Sequence, residues 1–464
     1  MRRRVHVVGI GGSGLSAIAR VLHERGDIVT GSDRAANELT EALAREGVSI
    51  AIGHRAENVA GADLVLVSSA VRDDNPEIVA ARAAGVPVRR RESFLGELTA
   101  GLRTIAVAGT HGKTTTSSLI AWILRRAARE PGFVLGGSSP DLGGNAAAGA
   151  GLLFVIEADE YDRAFLGLRP SIGVVTNIEY DHPDVFPNRD HYRQAFEAFA
   201  GLVQDRLLVC DEDPLARVLE GAAPRETYGF GASADWRADE VRPNAAGGSD
   251  FLAYRGATSL GLMRIRLPGR HNVLNALAAL AAVSDFDVAP ADLRQALADF
   301  RGVQRRFTVT GEAGEVVVVD DYAHHPSEIR ATLDAARARF PGRAVWAVFQ
   351  PHTYSRVRAL ASEFARAFGA ADHVVVTGVF ASREDPLPGI DAAWLARQVE
   401  HGSVRAAETL EQAAEAVLAG LRPPAVVVTL SAGDGNRVGD LVLAALRGSG
   451  LAQGPSDPRR SDAR

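Results

Sequence analysis

A chain of 464 residues is longer than one hydrophobic core supports and points to roughly two to four domains. With 46% hydrophobic and 23% charged residues and a net charge of −6, it has the composition of a soluble globular protein and lacks the basic footprint of a nucleic-acid binder. Its single cysteine, Cys210, excludes an internal disulfide and a cysteine-rich metal site, and no apolar run approaches the ~20 residues that span a bilayer, so a cytoplasmic protein without membrane or nucleic-acid partners is expected.

Short apolar, β-branched runs alternate with helical patterns throughout, the pattern of doubly wound α/β domains with parallel sheets. The first block, residues 1–102, has strand-like runs at 5–9, 27–33, 48–52, 63–68 and 86–89, and a helix opening at Asn75-Pro76. Its first strand runs into Gly9-Ile10-Gly11-Gly12-Ser13-Gly14, which opens a helix, and Asp33 closes the second strand 19 residues after Gly14. That is the spacing of a Rossmann-like dinucleotide fold, with an acid placed for a ribose hydroxyl. The run is compatible with NAD and an oxidoreductase, with a tight turn that holds no ligand, or with the diphosphate of another nucleotide. A second nucleotide loop further along the chain favours the last.

That second loop opens the block at 103–306. A buried-strand run at 104–108 leads into Gly109-Thr110-His111-Gly112-Lys113-Thr114-Thr115-Thr116, followed by an amphipathic helix over 117–127. Strand, glycine turn and helix N-terminus aim backbone N–H groups and the positive end of the helix dipole at an anion. Lys113 is placed for the terminal phosphates of ATP and the Thr114 hydroxyl for Mg2+. The usual loop has four residues between its glycines and this one has two, so the block reads as a short variant of a P-loop ATPase-like domain. Lys113 is also the only lysine among 51 cationic side chains, the other 50 being arginine. Where nearly every lysine has given way to arginine, a surviving one marks a place that needs a slim ammonium.

Further acids and a histidine fall at the ends of the next strands: Glu157-Ala158-Asp159-Glu160-Tyr161-Asp162 after the run at 152–158, and Asn177-Ile178-Glu179-Tyr180-Asp181-His182 after 171–177. Strand ends are where open α/β sheets bind ligands, and hard oxygen donors suit Mg2+. Residues 227–267 read as β-hairpins, and a long helix over 272–283 begins at His271-Asn272 with Asn275 one turn on. The third block, 307–447, has strands at 315–320, 345–349, 372–379 and 425–430, again Rossmann-like, and its entry is dense in polar groups: Arg305-Arg306, then Asp320-Asp321-Tyr322-Ala323-His324-His325-Pro326. A disordered tail is expected over 448–464.

Taken together and in this order, these motifs, with Ser68-Ser69-Ala70 and Phe349-Gln350-Pro351-His352-Thr353-Tyr354-Ser355-Arg356, resemble the Mur ligases of peptidoglycan synthesis from Val5 to about Leu446, and within them the alanine-adding branch. The resemblance implies an ATP-dependent ligase that joins L-alanine to the lactyl carboxylate of UDP-N-acetylmuramate through an acyl phosphate. Carried over, Gly11, Gly12, Ser13, Gly14, Asp33 and Ser68 would contact the UDP substrate. Gly109, Thr110, His111, Gly112, Lys113, Thr114 and Thr115 would hold ATP phosphate, Asn272 and Asn275 would face adenine, and Arg306 and Asp321 the remainder of the nucleotide. Thr114, Glu157 and His182 would ligate Mg2+; His325, His352 and Arg356 would lie on the amino-acid and muramate side, with His325 as candidate base for the amine. Sister ligases carry a carbamylated lysine, for which this chain has no second lysine. Thr353 stands where the family commonly has arginine, Tyr180 and Pro183 depart from the commoner residues, and Ser431-Ala432-Gly433-Asp434-Gly435 varies the usual ending. The alternatives are a recycling ligase that attaches a whole tripeptide, an NAD-dependent oxidoreductase, and a non-catalytic nucleotide-binding regulator. Monomer and homodimer both remain open.

Overall fold

The computed structural model describes residues 2–68 and 70–448, so the tail expected beyond them lies outside the described residues. Three mostly parallel sheets follow one another along the chain, each flanked by helices. They fall into two compact units, the first carrying the five- and ten-stranded sheets and the second the six-stranded sheet.

The five-stranded sheet has the spatial order Ser49–Ile52, Ile28–Asp33, Arg4–Val8, Leu64–Val67, Val88–Arg90, all parallel. Val5, Val7 and Val8 are buried because helices cover both faces, which is why this strand reads as continuously apolar. The helix Ser13–Glu24 buries Leu15, Ile18, Val21 and Leu22 at helical spacing. The helix Pro76–Ala83 starts where Asn75 accepts a hydrogen bond from the Glu77 amide at 2.9 Å, with proline in its first turn.

The ten-stranded sheet runs Thr258–Ile265, Ser249–Arg255, Trp236–Pro243, Arg225–Gly229, Arg206–Cys210, Ile172–Val175, Arg103–Ala108, Leu153–Glu157, Gly132–Ser139, Gly144–Ala147. Its first three strands form the antiparallel meander that the 227–267 pattern anticipates, and Gly144–Ala147 closes the far edge antiparallel to its neighbour. The helices Lys113–Arg126 and Arg270–Val283 pack together; Ala276, Leu277 and Leu280 are buried. The six-stranded sheet runs Thr308–Ala313, Val316–Asp321, Ala425–Leu430, Ala344–Phe349, His373–Thr377, Val404–Ala407, parallel except for its first strand. No helix among the described residues is long and apolar enough to cross a membrane.

Candidate active site

Arg103–Ala108 lies near the middle of its sheet, between Ile172–Val175 and Leu153–Glu157, with Ile105, Ala106, Val107 and Ala108 fully buried. The phosphate-loop sequence leaves its end. Gly109 has φ +133°, and a Cβ there would fall 1.9 Å from Thr176 Oγ1; Gly112 has φ +80°, and a Cβ there would fall 2.5 Å from Asn275 Oδ1. Only glycine fits either place. Lys113 is then the first residue of the helix.

The neighbouring strand end braces the loop. The Asn177 carbonyl accepts from the Thr110 amide at 3.1 Å and its Oδ1 from the His111 amide at 2.9 Å, while His111 Nε2 lies 2.9 Å from Glu179 Oε2. The other strand end supplies the charges. Glu157 takes a hydrogen bond from the Gly136 amide at 2.7 Å and another from the Thr114 hydroxyl, which brings together two of the residues expected to hold metal. Burial pushes the Glu157 carboxyl up, against the opposing pull of Lys113. Lys113 Nζ donates to the carbonyls of Gly109 at 2.6 Å and Thr110 at 3.1 Å, and pairs with Glu160 at 2.9 Å. Burial alone would lower this ammonium, but Glu160, Glu157 and Asp159 outweigh it and hold it above its ordinary value, so it is charged. His182 has a left-handed backbone (φ 55°) and belongs to the second compact unit.

Asn272 and Asn275, both buried, bond to each other at 3.1 Å, and Asn275 Oδ1 accepts from Thr116 at 3.2 Å. The amides thus tie the long helix to the start of the phosphate-loop helix. Thr115 is buried within that same first turn.

In the first sheet the glycine run turns beneath Ser32, whose carbonyl accepts from the amides of Gly9 and Ile10 at 2.8 and 3.0 Å. Gly11 donates its amide to Asp33 Oδ2 at 2.8 Å, Gly12 caps the helix that Ser13 begins, and Ser68 backs onto Gly9. Arg91 opens the helix Arg91–Leu98, passes close to Gly14 and pairs with Asp159 at 2.7 Å in the acid run after Leu153–Glu157.

The second unit gathers the remaining candidates. Asp321, at a strand end, accepts from the amides of Phe307 at 2.7 Å and Ala323 at 2.8 Å and from Thr332 at 3.2 Å. Burial pushes it up to about 6, with Arg306 opposing. Arg306 lies over the Tyr322 ring at 5.1 Å and reaches Glu328 at 3.4 Å. His325 is buried and caps the helix Pro326–Arg339, its Nδ1 accepting from the Ser327 amide at 3.3 Å. His352 stacks on Phe380 at 5.7 Å and Arg356 reaches its Nδ1 at 3.0 Å. Thr353 is buried at φ 64°, ψ 137°, a costly backbone for a β-branched residue, and its amide bonds to the Phe380 carbonyl at 3.0 Å. The varied ending also has a structural role: Ser431 donates to Gln350 Oε1 at 2.7 Å and accepts from the amides of Gly433 and Gly435.

Four contributors were not singled out from the sequence. Glu160, Asn177 and Glu179 sit in the acid-bearing runs, which is a signal; Tyr192, mid-helix and buried beside Thr110, has none.

Three family models match in succession: the Mur ligase family catalytic domain over residues 4–103, the Mur ligase middle domain over 107–283, and the Mur ligase glutamate ligase domain over 305–433. The chain belongs to the Mur ligase family. Among its Mur ligase relatives, a UDP-N-acetylmuramate–L-alanine ligase from Roseiflexus sp. (strain RS-1) is 45% identical over 95% of this chain and 99% of that one. Its counterpart from Sorangium cellulosum (strain So ce56) is 45% identical over 94% of each chain. The crystal structure of UDP-N-acetylmuramate–alanine ligase from Thermotoga maritima matches with a TM-score of 0.80 at 31% identity, covering 96% of this chain and 99% of that one. A murein peptide ligase from Psychrobacter arcticus matches at 0.71 and 25% identity, covering 96% and 98%. Membership of the Mur ligase family sets aside the oxidoreductase reading of the first glycine run.

Proposed function

We propose that the protein joins L-alanine to the lactyl carboxylate of UDP-N-acetylmuramate at the expense of ATP, giving ADP and phosphate. The observation that carries the reading is a charged, largely buried Lys113 at the start of a helix, on a loop only glycine can shape, in a chain that matches alanine-adding relatives over nearly its full length.

A carboxylate is a poor electrophile and its approach to a triphosphate brings like charges together. Positioning and charge neutralisation therefore supply most of the catalysis. In this reading Lys113 and the amides at the helix start take the terminal phosphates, the lactyl carboxylate attacks the γ-phosphorus, and ADP leaves. The amine of alanine then attacks the acyl carbon, passes through a tetrahedral intermediate, and phosphate departs. Thr114 and Glu157 present two hard oxygen donors in contact beside the phosphate loop, which fits Mg2+, with His182 as the further expected ligand. Bound there, the cation would share the charge of the phosphate oxygens. Gly11, Gly12, Ser13, Gly14, Asp33 and Ser68 are assigned to the UDP moiety, Asn272, Asn275, Arg306 and Asp321 to the rest of ATP, and His325, His352 and Arg356 to the amino-acid and muramate side. The amine must lose a proton before it attacks. With Nδ1 of His325 accepting from the Ser327 amide, its neutral ring carries the proton on Nε2, an edge that donates and so suits orientation better than base action.

Purified protein given UDP-N-acetylmuramate and ATP should release phosphate when alanine is added. Release that answers to a tripeptide and not to alanine would overturn the substrate assignment.

A further inference from the structure

Beyond the residues assigned above, Glu160 and Tyr192 form a buried relay into the phosphate loop. Glu160 is 1% exposed and aims both carboxylate oxygens at Lys113 Nζ, at 3.1 and 2.9 Å. An ammonium has three protons, and the carbonyls of Gly109 and Thr110 take the other two directions. A phosphate oxygen can therefore reach Lys113 only by displacing one of these acceptors, and the carboxylate is the one that would also repel it.

The Tyr192 hydroxyl lies 2.9 Å from Thr110 Oγ1 and 3.3 Å from Glu160 Oε1. Thr110 gives its own proton to the Glu179 carbonyl at 2.8 Å, so Tyr192 is the donor toward both neighbours and its one proton is shared between Thr110 Oγ1 and Glu160 Oε1. The ring is held by edge contacts to Phe186 at 4.9 Å and Tyr180 at 6.1 Å, which fix where the hydroxyl points. Glu160 is fixed from its own side as well. The turn that follows it places Asp162 and Arg163 in left-handed conformations (φ 54° and 56°), with the Arg163 amide bonded to the Glu160 carbonyl at 2.8 Å.

We propose that Glu160 is a phosphate placeholder: without nucleotide it occupies the Lys113 ammonium, and on nucleotide binding the ammonium exchanges carboxylate for phosphate while Tyr192 retains the released carboxylate. Both are positioning residues, acting through Lys113. The inference rests on the phosphate role given to Lys113 above.

It predicts opposite effects from neighbouring substitutions. Glu160→Gln keeps shape and removes the competing charge, so a non-hydrolysable ATP analogue, titrated without divalent cation, should bind roughly three- to tenfold more tightly. Tyr192→Phe keeps the ring packing but removes one hydrogen bond to the released carboxylate, and should weaken binding. The double variant should bind more tightly than Tyr192→Phe alone and fall short of Glu160→Gln by the lost contact between Tyr192 and Thr110. A merely structural role would weaken binding in all three. Unchanged or weaker binding by Glu160→Gln overturns the proposal. So does a crystal structure of the wild-type protein with the analogue bound in which the Lys113–Glu160 pair stays intact, a result that needs no variant to fold. Lys113→Ala separates the two readings: lost analogue binding upholds the phosphate role whatever Glu160→Gln does, and unchanged binding sinks both.

Discussion

Gly112 is one of two glycines in the phosphate loop that no other residue can replace. Its φ of +80° suits glycine, and the space a methyl would need is filled by the Asn275 amide at 2.5 Å. Gly112→Ala therefore meets two penalties. A left-handed alanine costs about 1–2 kcal/mol, and Asn275 must move away from Thr116 to make room. The expected outcome is a melting temperature several degrees lower together with loss of ATP-analogue binding; calorimetry and titration on the same preparation check both. Retained stability and affinity would show that the loop is not built around this contact. The same scale explains what the sequence left hidden. Lys113 announces itself because it is the only lysine, and Gly109 and Gly112 because they flank it. Tyr192 does not, since a buried aromatic at helical spacing looks like any core residue until its hydroxyl is located.

Between elements, Glu77 is a buried carboxylate that several segments share. It projects from Pro76–Ala83 to the Ser32 hydroxyl at 2.6 Å, to His54 Nδ1 at 3.2 Å, to the Asn58 amide, and toward His6 at 3.7 Å. One helix, two strands and a connecting turn thereby share one carboxylate beneath the loop that Ser32 supports. Burial pushes Glu77 up, but the neighbouring His6 ring and hydrogen bonds from Ser32 and Asn58 outweigh it and bring it down to about 2. A carboxylate lower in the folded than in the unfolded chain stabilises the fold at pH above its unfolded value near 4.5, and this contribution is lost as pH falls toward 2. The contribution is on the order of 3 kcal/mol. Urea unfolding of wild type and Glu77→Gln should differ most near neutral pH and converge between pH 4.5 and 2; a difference independent of pH would contradict it. Elements with strong apolar periodicity were legible in the sequence, such as Ala425–Leu430 at its predicted bounds and the helix Arg270–Val283. Those that were missed have weaker patterns. Gly132–Ser139 carries three glycines and pairs with its neighbours over only part of its length, and Thr308–Ala313 is an edge strand with mostly half-buried or exposed residues. Parallel strands were also trimmed, 171–177 becoming Ile172–Val175 and 372–379 becoming His373–Thr377, because their ends turn into loops.

Across the whole molecule, one device recurs. In each of the first two sheets the glycine-rich loop leaves a strand flanked on both sides by parallel neighbours, Arg4–Val8 in one and Arg103–Ala108 in the other, the place where open α/β sheets commonly bind ligands. The fold class and the order of the three blocks followed from alternating strands and helices, whereas the bracing of the phosphate loop by residues after two other strands and by Tyr192 on a helix did not, since nothing local in the sequence encodes contacts between segments 47 to 82 positions apart. In the proposed reaction, function on this scale depends on whether one ammonium meets the triphosphate. Lys113→Arg keeps the charge but puts a broad planar guanidinium into a slot that now fits three acceptors around a single nitrogen. The decisive measurement is alanine-dependent phosphate release by Lys113→Arg, with binding of UDP-N-acetylmuramate measured alongside to show that the protein is folded. A fall of at least about a hundredfold in turnover with substrate binding kept is the predicted result; turnover within a few-fold of wild type would contradict it.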